Sequence, residues 1–258
     1  MKATLFALRS FGRELRSGEV LVLLAAVSLA VAALTAVGFL TDRIGKAVAR
    51  QANEVLAADL RLRSQAPVPD EWREIAAEFN LQTADTLSFP SVVFHGDDNA
   101  LSSIKVVSDN YPLRGAVRVA DELFGEQREV DGIPAAGEVW ADGALLARVG
   151  ADVGDMLDIG ELHLRVSAVL TYRPDQSIGF ASLAPTVILN IADIGATGLI
   201  GEGSRVRYAL LVAGDDDDVA SFSDAISDKL PDEIRIRSQE ESSERAYNAA
   251  DRAQRFLS

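Results

Sequence analysis

The longest uniform pattern in the chain is a run without any charge, Val20 to Leu40, reading VLVLLAAVSLAVAALTAVGFL. A helix rises about 1.5 Å per residue, so a run of this length reaches roughly 30 Å, the hydrocarbon thickness of a bilayer. Its only polar residues are Ser28 and Thr35, whose hydroxyls a helix can bond to its own carbonyls. A soluble core helix seldom stays apolar on every face for six turns. A cleaved leader has a shorter apolar stretch and a small-x-small end, whereas this run closes in Gly38-Phe39-Leu40-Thr41-Asp42-Arg43. A membrane-spanning helix over 20–40 is predicted.

Residues 2–16 read as a helix ahead of the span. Leu5, Leu8, Phe11 and Leu15 share one arc, and Lys2, Arg9, Arg13 and Arg16 the opposite one; Phe6 is the misfit. Such a basic amphipathic helix lies in the headgroup plane. Residues 1–19 are thus expected to form a cytoplasmic interfacial helix. The basic excess puts the N-terminus inside, diluted by Arg43, Lys46 and Arg50 after the span.

Over 41–60 the helix is expected to continue as a stalk, with a narrow apolar stripe at Ile44, Val48, Val55 and Leu62. After a loop at Pro67 and Pro69, Asp70 is expected to cap a helix over 71–80 that buries Trp72, Ile75, Ala76 and Phe79. The period then changes to two. Strands are predicted at 87–94, 103–108, 138–140, 156–159, 162–171, 186–191, 205–212 and 234–237. Helices are predicted at 143–149 and at 219–230, the latter on the spacing of Val219, Phe222, Ile226 and Leu230. Residues 61–238 therefore form a mixed α+β head. Residues 239–258 return to helix, with Ala246, Ala250, Ala253 and Leu257 on one narrow stripe. Apolar character resumes at Phe256-Leu257, as if before a second span.

Charge sharpens this division. The chain has 258 residues and a net charge of −14, of which residues 1–19 contribute +2 and the remainder −16. An acidic head repels phosphate backbones, which excludes nucleic acid as a partner. The absence of cysteine removes disulfides, thiolate metal sites and cysteine nucleophiles, and suits an extracytoplasmic compartment.

Candidate chemistry is sparse. His163 alternates as a strand residue in Glu161-Leu-His-Leu-Arg165, and His95-Gly96-Asp97-Asp98 suits a hairpin turn better than a metal cluster. Ser88 and Ser108-Asp109 have no base at a readable spacing. The run Asp215-Asp216-Asp217-Asp218 lacks the spaced ligands of a calcium loop and directly precedes a helix, where acids favour the dipole. No catalytic, cofactor-binding or metal-binding residue is assigned, and no phosphate loop, H-E-x-x-H or G-x-S-x-G pattern occurs.

Four stretches carry a family resemblance. Ser103-Ile-Lys-Val-Val-Ser-Asp-Asn-Tyr-Pro-Leu-Arg-Gly115 resembles the K-A-V-x-x-x-Y-P-L-x-G segment of FtsX-like permeases of the YbbP branch. Val149–Gly160, running into Leu162–Leu170, resembles the G-D-x-(I/L)-x-(I/L)-G hairpin of MacB-type periplasmic domains. Ser182–Asp193 and Gly203–Tyr208 resemble two further stretches of that branch, with Glu202 where a proline is expected and a loose match over 173–180.

The resemblance implies the permease subunit of an ABC transporter of the mechanotransmission type, with a MacB-type periplasmic domain in the inner membrane. It implies that ATP and Mg²⁺ sit on a separate cytoplasmic ATPase resembling YbbA. It also implies a second permease unit or half, and a periplasmic thioesterase or lysophospholipase, hence traffic in lipids or other hydrophobic compounds. The alternative it leaves open is an FtsX-like regulator that switches on a periplasmic hydrolase. A single-span sensor would need a signalling domain inside, for which residues 1–19 are too short.

Overall fold

A computed structural model describes residues 19–176, 184–201, 203–227, 229–231 and 234–238. The interfacial helix expected at 2–16 and the returning helix expected at 239–258 lie outside the described residues. The chain divides into two compact units, Met1–Arg50 and Gln51–Ser258.

In the first unit runs most of helix α1, Glu19–Leu56. Its segment Val22–Leu40 is long and apolar enough to cross a membrane, and none of that segment is buried. Large apolar side chains such as Leu29, Leu34 and Phe39 stand about two-thirds or more exposed, the surface that a lipid environment would cover. The Thr35 hydroxyl donates to the Val31 carbonyl at 2.7 Å, so the span's one described hydroxyl bond stays within its own helix.

The stalk expected over 41–60 is corrected at its end. Helix α1 stops at Leu56, and Ala57 takes a left-handed backbone (φ 58°). Strand β1, Leu60–Ser64, follows. The alternation Leu60-Arg61-Leu62-Arg63 has period two, so Leu62 belongs to a strand and not to a helical stripe. The side chains of Ile44, Val48 and Val55 lie outside the described residues.

The second unit is built on one split motif. Helix α2 (Glu71–Glu78) and strand β2 (Gln82–His95) follow β1. Far along the chain come β10 (Arg207–Ala213), α4 (Asp216–Ser227) and β11 (Arg235–Ser238). Their sheet order is β11-β1-β10-β2, a βαββαβ arrangement with both helices on one face. Leu60, Leu62, Leu210 and Val212 meet Trp72, Ala76, Phe222 and Ile226 in the core beneath those helices. Phe79 packs edge-on to Phe222, ring centres 6.5 Å apart. Asp70 precedes α2 but makes no side-chain cap; its carboxylate is drawn to Arg73 at 2.6 Å instead.

Everything between β2 and β10 forms a second layer. Strands β3 (Asp98–Val107), β6 (Glu138–Asp142), β7 (Met156–Ile159), β8 (Leu162–Tyr172) and β9 (Thr186–Asn190) join the far half of β2. The pairings run β2-β3-β9-β6-β8-β7 and return to β2, so the sheet closes into a ring and buries its edges. Helix α3 (Gly143–Val149) fills it with Leu145, Leu146 and Val149, against Ile104, Leu157, Val166 and Leu189. Asp142 caps α3 by accepting from the Ala144 amide at 2.9 Å. Strands β4 (Val117–Ala120) and β5 (Arg128–Val130), which the alternation did not reveal, extend the sheet beside β8.

Candidate functional site: a buried charge cluster and the polar cavity above it

The face of the β11-β1-β10-β2 sheet that lacks helices is apolar at Ala84 and Leu211, which share a core with Tyr111 and Trp140, and polar beside them. Residues two apart on a strand share a face, so Arg61 and Arg63 do. Pairing carries that face across the sheet: Arg63 beside Ala209, Arg207 beside Ser88, Ser88 beside Lys105, and Ser103 beside Thr186.

Below this face lies a buried ion cluster. The side chains of Lys105 and Asp175 are 3% and 2% exposed and paired with each other. Asp175 also meets Arg173 at 2.6 Å and Arg61 at 3.7 Å. The buried Tyr111 hydroxyl donates to the same carboxylate at 2.7 Å, and its ring lies 5.3 Å from the Lys105 ammonium. Burial alone would raise the Asp175 carboxyl; the charges of Lys105, Arg173 and Arg61 outweigh it and hold the group well below the usual carboxylate range. Burial, aided by Arg61 and Arg173, brings Lys105 down to about 7 against the pull of Asp175. Burial, then the neighbouring Asp175 charge, pushes the Tyr111 phenol well up.

Above the cluster is a cavity of about 140 Å³, lined among others by Arg61, Arg63, Lys105, Arg173 and Arg207. Its described carboxylates are Asp142 and Asp175.

A second polar constellation ties the end of α1 to the head. The Ala57 carbonyl accepts from the Leu113 and Arg114 amides, both at 3.1 Å. The Arg114 guanidinium forks onto Asp59 at 2.9 and 2.6 Å and also donates to the Gly214 carbonyl. Asp59 in turn accepts from the Gly214 amide at 3.1 Å. Two-point contacts of this kind fix orientation as well as distance.

The residues singled out from sequence fall elsewhere. His95 ends β2 beside the tight turn at Gly96-Asp97, its Nδ1 3.1 Å from the Val149 carbonyl. His163 is exposed on β8 and pairs with Asp158. The Ser108 hydroxyl accepts from the Asp85 amide. Ser88 alone lines the cavity. Asp216, Asp217 and Asp218 occupy the first turn of α4. Among the described residues no cluster of acids and histidines could hold a metal.

The cluster itself was missed, though its signals were present: a lysine inside Ile104-Lys105-Val106-Val107, and arginines alternating with leucines at 60–63.

The permease YbbP of Escherichia coli K12, an ABC transporter permease, is 32% identical over 250 residues, covering 96% of this chain and 30% of YbbP. The chain therefore spans about a third of that relative's length. The periplasmic region of MacB from Actinobacillus actinomycetemcomitans is 12% identical, with a TM-score of 0.47 over 75% of this chain and 96% of that one. The extracellular domain of the Gram-positive ABC-type transporter YknZ is 8% identical, with a TM-score of 0.45 over 69% of this chain and 100% of that one. The MacB-like periplasmic core domain matches residues 20–229, and with most of its length so matched, the chain belongs to that family.

Proposed function

We propose that this chain is part of the permease subunit of an ABC transporter of the mechanotransmission type. Its N-terminus faces the cytoplasm and its head the periplasm. A separate ATPase binds ATP and Mg²⁺ inside, and a second permease unit or half completes the membrane part. ATP-driven movement passes along α1 to the head, which acts on lipids or other hydrophobic compounds, and a periplasmic lysophospholipase or thioesterase is a fitting partner. The observation that carries this reading is the clamp at the end of α1. The residue just past the helix, Ala57, is held through its carbonyl by the Leu113 and Arg114 amides, and Arg114 forks onto Asp59 two residues on; a junction fixed in this way passes displacement of the helix end into the head instead of absorbing it.

The test is to purify the full-length permease from its native membrane and identify what accompanies it by mass spectrometry. A cytoplasmic ATPase together with lipid or a lipid hydrolase is expected. Absence of any ATPase would sink the reading. A second variant set, Arg114→Ala with Asp59→Ala, should leave the ATPase bound but break the coupling of its turnover to function.

A regulator that binds and triggers a periplasmic hydrolase is the second reading. It is favoured by an apolar patch outside the closed ring, where Phe94, Leu101 and Met156 are 44%, 58% and 46% exposed and Val92 lies beside Leu101. Recovery of a cell-wall hydrolase in the same purification would select it.

A further inference from the structure

The cavity on the open sheet face holds more positive charge than its own acids can use. Arg61, Lys105, Arg173 and Arg207 line it against two described carboxylates, Asp142 and Asp175. Asp175 is already committed to Lys105, Arg173 and Arg61, and Asp142 to capping α3. The Arg61 Nε is buried with no hydrogen-bond partner, and the Arg207 guanidinium meets no carboxylate among the described residues. In a chain of net charge −14, such a concentration is not what composition would scatter there. A buried donor left unsatisfied is costly, so the arrangement makes sense when something accepts from it.

We propose that this cavity is a binding site for a phosphate group, held by Arg61 and Arg207 with the hydroxyls of Ser88 and Ser103 as further donors. These four side chains come from four successive strands, β1, β10, β2 and β3. A planar carboxylate has two oxygens on one edge, whereas a tetrahedral phosphate offers acceptors in several directions to such a ring of donors. The volume of about 140 Å³ compares with roughly 30 Å³ for one water, and so admits a phosphate with accompanying waters. The same chemistry belongs to inorganic phosphate and to a phospholipid headgroup.

The test uses the full chain in a neutral detergent. Its thermal unfolding is followed against inorganic phosphate, with sodium chloride at equal ionic strength as the reference, and then against monomeric dihexanoyl phosphatidylglycerol. A ligand that binds only the folded state raises the midpoint in a saturable way. Phosphate should do so where chloride does not. Arg207→Gln should weaken the apparent affinity about tenfold or more, from loss of a charge-assisted contact. Arg118→Gln, on β4 and paired with Glu129, should leave it unchanged. Saturation by the short-chain lipid at lower concentration than phosphate identifies a headgroup; the reverse identifies the free anion. Arg61 also supports Asp175, so Arg207→Gln is the deciding variant. Equal responses to phosphate, lipid and chloride, or an undiminished response in Arg207→Gln, would overturn the assignment.

Discussion

At the scale of single residues, Lys105 and Asp175 set the pH behaviour of the head. A lysine whose folded value lies near 7 instead of its ordinary 10.5 binds its proton more weakly folded than unfolded. Between those two values the unfolded chain carries more protons, so stability rises with pH across that window. Asp175 acts at the other end. Held below the usual carboxylate range by Lys105, Arg173 and Arg61 despite its burial, it contributes stability above about pH 4 that is lost as pH falls further. Substituting Lys105→Met removes the first effect. Wild type should gain up to about 1.4 kcal/mol per pH unit between pH 7 and 10 relative to the variant, read from unfolding midpoints at each pH. Parallel curves for the two proteins would show that Lys105 does not titrate in that range. The Asp175 partnership could not be read from the chain, because Arg173 and Asp175 sit in the stretch whose family match is loosest. Their partner lies 70 residues earlier, a distance no local pattern encodes.

At the scale of elements, legibility followed periodicity. Helix α3 matched its expected bounds because Leu145, Leu146 and Val149 share a face and Asp142 and Gly150 punctuate its ends. Hairpin β7–β8 was equally plain, since Met156–Ile159 and Leu162–Tyr172 flank a two-residue turn. Strand β1 was not predicted, and its Leu60 and Leu62 were counted with the stalk helix, because only Leu60-Arg61-Leu62-Arg63 argues for a strand and it follows soon after 38 residues of helix. Strands β4 and β5 were missed because they span only four and three residues, too few for a period to register, and, unlike β7 and β8, no two-residue turn joins them to mark a hairpin. The β7–β8 turn also carries the sharpest local constraint. Gly160 has φ 64°, and an added Cβ would lie 2.0 Å from the Thr197 carbonyl oxygen, which accepts from the Glu161 amide at 2.9 Å. Backbone strain and overlap with a main-chain atom act together here. Gly160→Ala should cost about 3 kcal/mol or more, measured as a fall in the urea midpoint without change of slope. Gly96→Ala, also at positive φ but with open space around its Cβ, should cost about 1 kcal/mol. Equal losses at the two sites would mean that φ alone, and not the contact with Thr197, sets the penalty.

At the scale of the whole molecule, the proposal depends on which side of the membrane the head occupies, and the composition supplies a direct way to ask. The chain has no cysteine, so a single introduced thiol reports its position without background. Asp97 lies at the tip of the β2–β3 hairpin, exposed and flanked by Gly96, so Asp97→Cys should leave the fold intact. Ser17→Cys places a second reporter before the span. The stretch Val22–Leu40 is 19 residues long, or roughly 28 Å as a helix, enough to separate the two reporters by a bilayer. A membrane-impermeant maleimide should then label Cys at 97 in right-side-out spheroplasts and not in sealed inverted vesicles, with the opposite pattern for Cys at 17. Basic residues resist translocation, and the four cations at 2, 9, 13 and 16 against Glu14 and Glu19 are the physical reason to expect this direction. Labelling of both positions from one side would mean that α1 does not cross. Labelling with the sides exchanged would place the acidic head, its cation-lined cavity and its exposed apolar patch in the cytoplasm. The clamp at Ala57 and Arg114 would then face the same compartment as the ATPase and could not carry its motion outward.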